Sequence, residues 1–94
     1  MLPIKIYRVR SRSMEPALRE GDYVIVRAWR GGIKDGDVVI LRHPLKNMSL
    51  VKRVKWIDSK SVYAVGDNGA ESEDSRTLGP FDVSSIMGKV LFSV

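Results

Sequence analysis

The chain has 94 residues and no cysteine, which excludes a disulfide scaffold, a thiol nucleophile and a cysteine zinc site. A hydrophobic share of 44% beside 29% charged residues excludes a disordered tail and suits one folded domain over residues 1–94. Sixteen Lys and Arg against eleven Asp and Glu leave a charge of +5, the balance of a basic solvated surface or of one that meets an acidic partner.

Ile4 to Val9 mixes β-branched, aromatic and charged residues and predicts a strand. Met14 to Arg19 has room for a turn or two of helix, which Pro16 limits. Tyr23 to Ala28 and Val38 to Arg42 are β-branched runs. Each is entered through a Gly-Asp pair (Gly21-Asp22, Gly36-Asp37), glycine for the backbone angles of a turn and aspartate to hydrogen-bond the backbone just beyond it. Leu50 to Ile57 and Ser61 to Val65 flank Asp58-Ser59-Lys60, a hairpin loop. Gly66 to Pro80 is a long polar stretch of the kind that carries function. Phe81 to Ser85 predicts one more helical turn. Ile86 to Phe92 closes the chain as a strand whose Gly88 marks a bulge or a close backbone approach. The pattern is that of a compact, mostly β domain. No apolar run approaches the ~20 residues of a membrane-spanning helix, and no signal peptide is visible, so the expectation is a cytoplasmic protein.

On a strand, alternate residues share a face. Leu50, Lys52, Val54 and Trp56 therefore fall on one side, and Val51, Arg53, Lys55 and Ile57 on the other. An ammonium among Leu, Val and Trp loses hydration, which favours the neutral amine and makes Lys52 a candidate general base. The alternative is a lysine that snorkels past the strand edge. Ser11 and Ser13, two residues apart after a strand and before Pro16, can present a nucleophile with a second hydroxyl beside it; such a pair also serves as an ordinary strand end or helix cap.

These stretches carry a resemblance. The segment SRSMEPAL, Ser11 to Leu18, is similar to the nucleophile block of type I signal peptidases, and GDVVILRHP resembles the strand that follows it there. LVKRV resembles the block with their catalytic lysine, and GDNGAESEDSRTLGPFDVSSIMGKV resembles their last block. The four occur in the family's order from Ser11 to Val90. Together with RHP and ESEDSR they look closest to a soluble branch that contains the maturation proteases of nickel-type superoxide dismutase. Two positions depart from the family: Arg12 stands where it usually has glycine and Ala17 where it usually has threonine. No stretch resembles its membrane anchor or its large β insertion.

The resemblance implies an antiparallel or mixed β catalytic core like that of signal peptidases and SOS-repressor peptidases, with one or two short helical turns. It makes Ser13 the nucleophile and Lys52 the general base. Ser11 and the Ser13 amide would line the oxyanion hole, and Ser72 would orient the lysine. Asp74 and Arg76 would be a supporting acid–base pair, and Gly66-Asp67-Asn68 would open their loop. The implied substrate is a protein or peptide with a cleavable N-terminal segment, and neither metal nor organic cofactor is expected.

Other signals are less specific. Asp67, Glu71, Glu73 and Asp74 lack the ligand spacing of a calcium loop. His43, the one histidine, lies outside the lysine block and reads as a structural loop residue. A rival from another class is a nucleic-acid-binding β domain with Arg8, Arg10, Lys52, Arg53 and Lys55 on phosphates, though only Tyr7 and Trp56 offer stacking, so no nucleic acid is expected.

Overall fold

Short β-branched runs punctuated by Gly-Asp turns leave little chance for helix, and the computed structural model, which describes residues 3–94, is built accordingly. Its strands are β1 (Ile4–Arg8), β2 (Tyr23–Arg27), β3 (Val38–Arg42), β4 (Ser49–Ile57), β5 (Ser61–Val65), β6 (Phe81–Asp82) and β7 (Ile86–Ser93), with one short helix, α1 (Ser75–Leu78). All seven join in one sheet of order β1-β2-β7-β3-β4-β5-β6. Every neighbouring pair is antiparallel. Extents of 32 × 30 × 25 Å are too deep for a flat sheet, so the sheet curls on itself.

The two Gly-Asp turns are built alike. Gly21 and Gly36 have φ of 95° and 91°, where a side chain would be strained. Asp22 accepts from the Arg19 amide and Asp37 from the Lys34 amide. The aspartates thus bond the backbone three residues upstream rather than the residues beyond, tying each turn shut before its strand begins. The expected Asp58 hairpin is present, with Asp58 Oδ1 accepting from the Lys60 and Ser61 amides at 2.8 and 2.7 Å.

Helix is as scarce as predicted but falls partly elsewhere. Met14 to Arg19 forms only turns, its single α-type bond running from the Leu18 amide to Met14 O. Pro16 has no N–H to extend that ladder. Phe81 to Ser85 divides into β6 and a 3-10 turn at Val83–Ser85, because Phe81 pairs with Val62 and packs into the core. The polar stretch after β5 carries a 3-10 turn at Gly69–Glu71 and then α1.

Two apolar clusters lie on opposite faces of β3, as its alternation requires. Val39 and Leu41 join Leu50, Val54, Val62, Ala64, Phe81 and Ile86. Ile40 joins Val9, Met14, Leu18, Val24 and Val26. Gly88 lets β7 approach β2, since a Cβ there would meet Arg27 O at 2.4 Å. Register also slips on both of its partners, between Ile25 and Val26 and between Ile40 and Leu41, so the bulge and the close approach occur together.

Candidate active site

Along β4 the predicted alternation holds for its first half: Leu50, Lys52 and Val54 are buried while Val51 and Arg53 are half-buried. It then fails. Val54 pairs with Ala64 but Trp56 pairs with Tyr63, leaving Lys55 as an extra residue. This bulge turns Trp56 outward to 41% exposure, where it stacks on Tyr63 with centroids 5.8 Å apart. Trp56 is therefore no part of the apolar face around Lys52, contrary to the strict two-residue period. The lysine does not depend on it, being 2% exposed and directly opposite Val39.

Ser13 is held at the end of the crossover from β1 to β2. Backbone bonds between Val9 and Asp22, and between Gly21 and Val9, close that crossover at its base. Met14, 1% exposed, anchors it in the second cluster. Ser13 itself is 4% exposed. Its Oγ lies 3.1 Å from Ser11 Oγ, and its amide makes a long 3.4 Å contact to the same oxygen. Such a weak bond is readily given up to a better acceptor.

The segment between β5 and β6 straps across this crossover. The Asn68 amide donates to Ser13 O at 2.8 Å and its side chain to Arg12 O at 3.1 Å. At Gly66 the two segments touch: a Cβ would sit 2.3 Å from Ser72 Oγ and 2.5 Å from Ser13 O. Asp67, next in line, takes a bidentate pair from Arg53, both bonds 2.9 Å.

Behind the strap, hydrogen bonds run in one direction. Lys52 Nζ donates to Ser72 Oγ at 3.0 Å, and Ser72 Oγ donates to Asp74 Oδ2 at 2.5 Å. Asp74, 0% exposed, also accepts from the Gly66 and Arg76 amides and from the Arg76 guanidinium. Burial alone would raise this carboxyl's pKa. The bonds from Arg76, Ser72 and the two amides outweigh it and hold the group far below the usual carboxylate range. Desolvation is likewise the largest influence on Lys52 and lowers its pKa. Arg76 acts in the same sense, while Asp74 and Glu73 oppose.

Ser11, Ser13 and Lys52 line one cavity of about 550 Å³, walled by Val9, Met14, Ile40 and Leu50 where the two apolar clusters meet. The hydrogen bonds of Ser13 Oγ and Lys52 Nζ go to Ser11 and Ser72 rather than to each other. Ser72, Asp74 and Arg76 lie behind the lysine, so all six residues singled out from the sequence gather in one place.

Three features were hidden in the sequence. Asn68 is a clamp on the serine backbone, although the Gly66-Asp67-Asn68 run had marked its loop. Gly66 is small because two segments meet there. His43 is the structural loop residue expected, just past the end of β3, and what was hidden is its burial and its bond to Glu73. The phosphate-binding set expected of the rival reading is broken up, since Lys52 is buried and Arg53 is engaged by Asp67 and Gly36 O.

A buried lysine and a buried serine thus share one apolar cavity in the antiparallel sheet. The chain matches the family described as signal peptidase, peptidase S26, over residues 1–55 and 55–94, and it belongs to that family. It is 32% identical, over an alignment of 71 residues, to signal peptidase I of Buchnera aphidicola subsp. Schizaphis graminum, covering 60% of this chain and 23% of that protein. It is 29% identical, over 113 residues, to mitochondrial inner membrane protease subunit 2 of Schizosaccharomyces pombe, covering 94% of this chain and 63% of that one. The chain thus spans less than two thirds of either relative. Among the described residues no helix is long and apolar enough to cross a membrane.

Proposed function

We propose that residues 1–94 form one catalytic domain, a serine endopeptidase that removes an N-terminal leader or propeptide from a protein substrate. The observation that carries this reading is the burial of Lys52, its amine held by Ser72 in the cavity that also receives Ser13. A neutral amine that donates one N–H to Ser72 keeps its lone pair free. That lone pair takes the Ser13 proton as Oγ attacks the substrate carbonyl. The Ser13 amide and Ser11 Oγ–H then turn to the developing oxyanion; one such donor is commonly worth about 3–4 kcal/mol in the transition state. Lys52 passes its proton to the leaving amine, and water attacks the acyl-enzyme ester to release the acid and free Ser13. Asp74 and Arg76 keep the Ser72 proton directed away from Lys52, so the amine always meets an acceptor there.

The substrate favoured by the RHP and ESEDSR stretches is the precursor of a nickel-type superoxide dismutase. A second reading, leader cleavage at a membrane surface, is favoured by an outward apolar row in which Ile6 pairs with Ile25 and Ile25 with Phe92, with Ile6 and Phe92 exposed. Both are tested by incubating the protein with the superoxide dismutase precursor and with a leader-bearing precursor, each with and without lipid vesicles. Ser13→Ala and Lys52→Ala are expected to abolish cleavage while leaving the circular dichroism spectrum and melting cooperativity intact. Cleavage that survives both substitutions defeats the assignment, and dependence on vesicles selects the second reading.

A further inference from the structure

His43 lies outside the machinery described above, yet its side chain is 1% exposed and both ring nitrogens are bonded. The Leu45 and Lys46 amides donate to Nδ1 at 3.0 and 3.1 Å. A nitrogen that accepts two amide protons carries none of its own, so the neutral ring bears its hydrogen on Nε2. That N–H points at Glu73 Oε1, 2.9 Å away and thirty positions along the chain. A histidine needed only to close its own turn would satisfy Nδ1 and leave Nε2 to water. Here the second nitrogen reaches the strap, at the residue between Ser72 and Asp74.

The strap's other bonds leave that residue as a tether of its own. Asn68 fixes the start against Arg12 and Ser13, and Ser75 Oγ fixes the end by accepting from the Ala64 amide. Between them Glu71 bonds only locally, to Asn68 O. Glu73 binds the cavity side to the β3–β4 turn through His43, with the Lys46 ammonium a longer 3.8 Å from the same oxygen. The charges that act on the Lys52 amine are Asp74, Arg76 and Glu73, all carried by this strap, while Arg8, Arg10 and Glu71 also line its cavity.

We propose that His43 is a positioning residue for the Lys52 amine, acting through Glu73 to hold the strap that carries Ser72 and Asp74. Its kinetic consequence rests on the peptidase reading; its structural consequence does not. His43→Asn supplies an oxygen for the Leu45 and Lys46 amides, but its side chain is too short to bring its amide N–H to Glu73, whereas His43→Gln extends an amide N–H toward it. His43→Asn is expected to lower kcat per active site about ten- to a hundredfold with KM little changed, the effect of a displaced reacting group, and His43→Gln to restore most of it. In the double substitution with Glu73→Ala, His43→Asn adds nothing to Glu73→Ala alone, because both cut one path.

The Lys52 titration, followed by NMR of lysine-labelled protein, needs no substrate. His43→Asn is expected to move it upward, because a loosened strap admits water to the amine. If His43→Asn only lowers the melting temperature while kcat and the titration stay put, or if the two substitutions act additively on kcat, the proposal is overturned. Should His43→Asn fail to fold, Glu73→Ala carries the test: it is expected to lower kcat, and a Glu73→Ala protein whose kcat and Lys52 titration are both those of the wild type overturns the proposal. A titration that moves as expected in a protein that cleaves no precursor supports the positioning role and defeats the peptidase reading instead.

Discussion

At the scale of single residues the site is a problem of space as much as of charge. Gly66 stands where the strap crosses the serine segment, and an added Cβ would overlap both a side-chain oxygen and a backbone oxygen. Ser72 could rotate away, which would take its oxygen from Lys52; Ser13 O cannot rotate, so the serine backbone itself would be pushed. Gly66→Ala is expected to destabilise the fold by about 1–3 kcal/mol, as overpacking does. It should also reduce cleavage at least tenfold in the molecules that remain folded, about the cost of a small misplacement at a reacting centre. Measuring kcat against an active-site titration separates the two effects, and full activity per folded molecule would show that the serine tolerates the shift. The glycine is visible in the sequence, but the reason for it is a contact between segments more than fifty residues apart. Lys52 was legible because its signal is local: Leu50 and Val54 flank it at two-residue spacing on the buried face. Trp56 was misjudged because a single extra residue in β4 reverses the alternation, and nothing within LVKRVKW marks where β5 forces that slip.

At the scale of elements, β-branched runs and Gly-Asp turns gave strand positions to within a residue or so; of the two predicted helical turns, Phe81 to Ser85 keeps a 3-10 turn at its end and Met14 to Arg19 forms only turns. Strands are recruited by partners, and Phe81 is the clear case: two residues of β6 exist because β5 offers an edge. Strand order was not legible, since β7 inserts between β2 and β3 from the far end of the chain. That insertion depends on Gly88, where a Cβ would meet Arg27 O at 2.4 Å and Val26 Cγ1 at 2.6 Å. Gly88→Ala is expected to cost about 1–3 kcal/mol in denaturant melts. Gly88 is not among the residues that line the cavity of Ser13 and Lys52, so cleavage per folded molecule should be unchanged. A variant that stays as stable as the wild type would mean that β7 can slide on β2, and that the bulge, not the glycine, accommodates the approach.

At the scale of the whole molecule, a buried amine is a cost to the fold, and its sign can be worked out. In the unfolded chain Lys52 has the ordinary lysine pKa of about 10.4, and in the folded protein desolvation lowers it. Below the folded value both states are protonated and the fold bears the full cost of a dry ammonium. As pH rises through the folded value the native state sheds its proton first, the unfolded state binds more protons, and stability climbs until about 10.4. Asp74 does not disturb this window. Its lowered pKa gives stability that is complete above the ordinary carboxyl value of about 3.9 and is lost only on further acidification. Lys52→Met keeps the length of the side chain without its charge, and Ser72 still donates to Asp74. The variant should therefore be inactive yet more stable than the wild type at pH 6, by about 1–3 kcal/mol, in the range seen when buried charges give way to apolar groups. The advantage should shrink as pH rises through the lowered folded value toward about 10.4 and the native amine becomes neutral, a trend that urea melts at several pH values would follow. A Lys52→Met protein less stable than the wild type at pH 6 would mean that the ammonium is a net partner of Asp74, and a lysine stabilised in that way is too well paired to serve as a base.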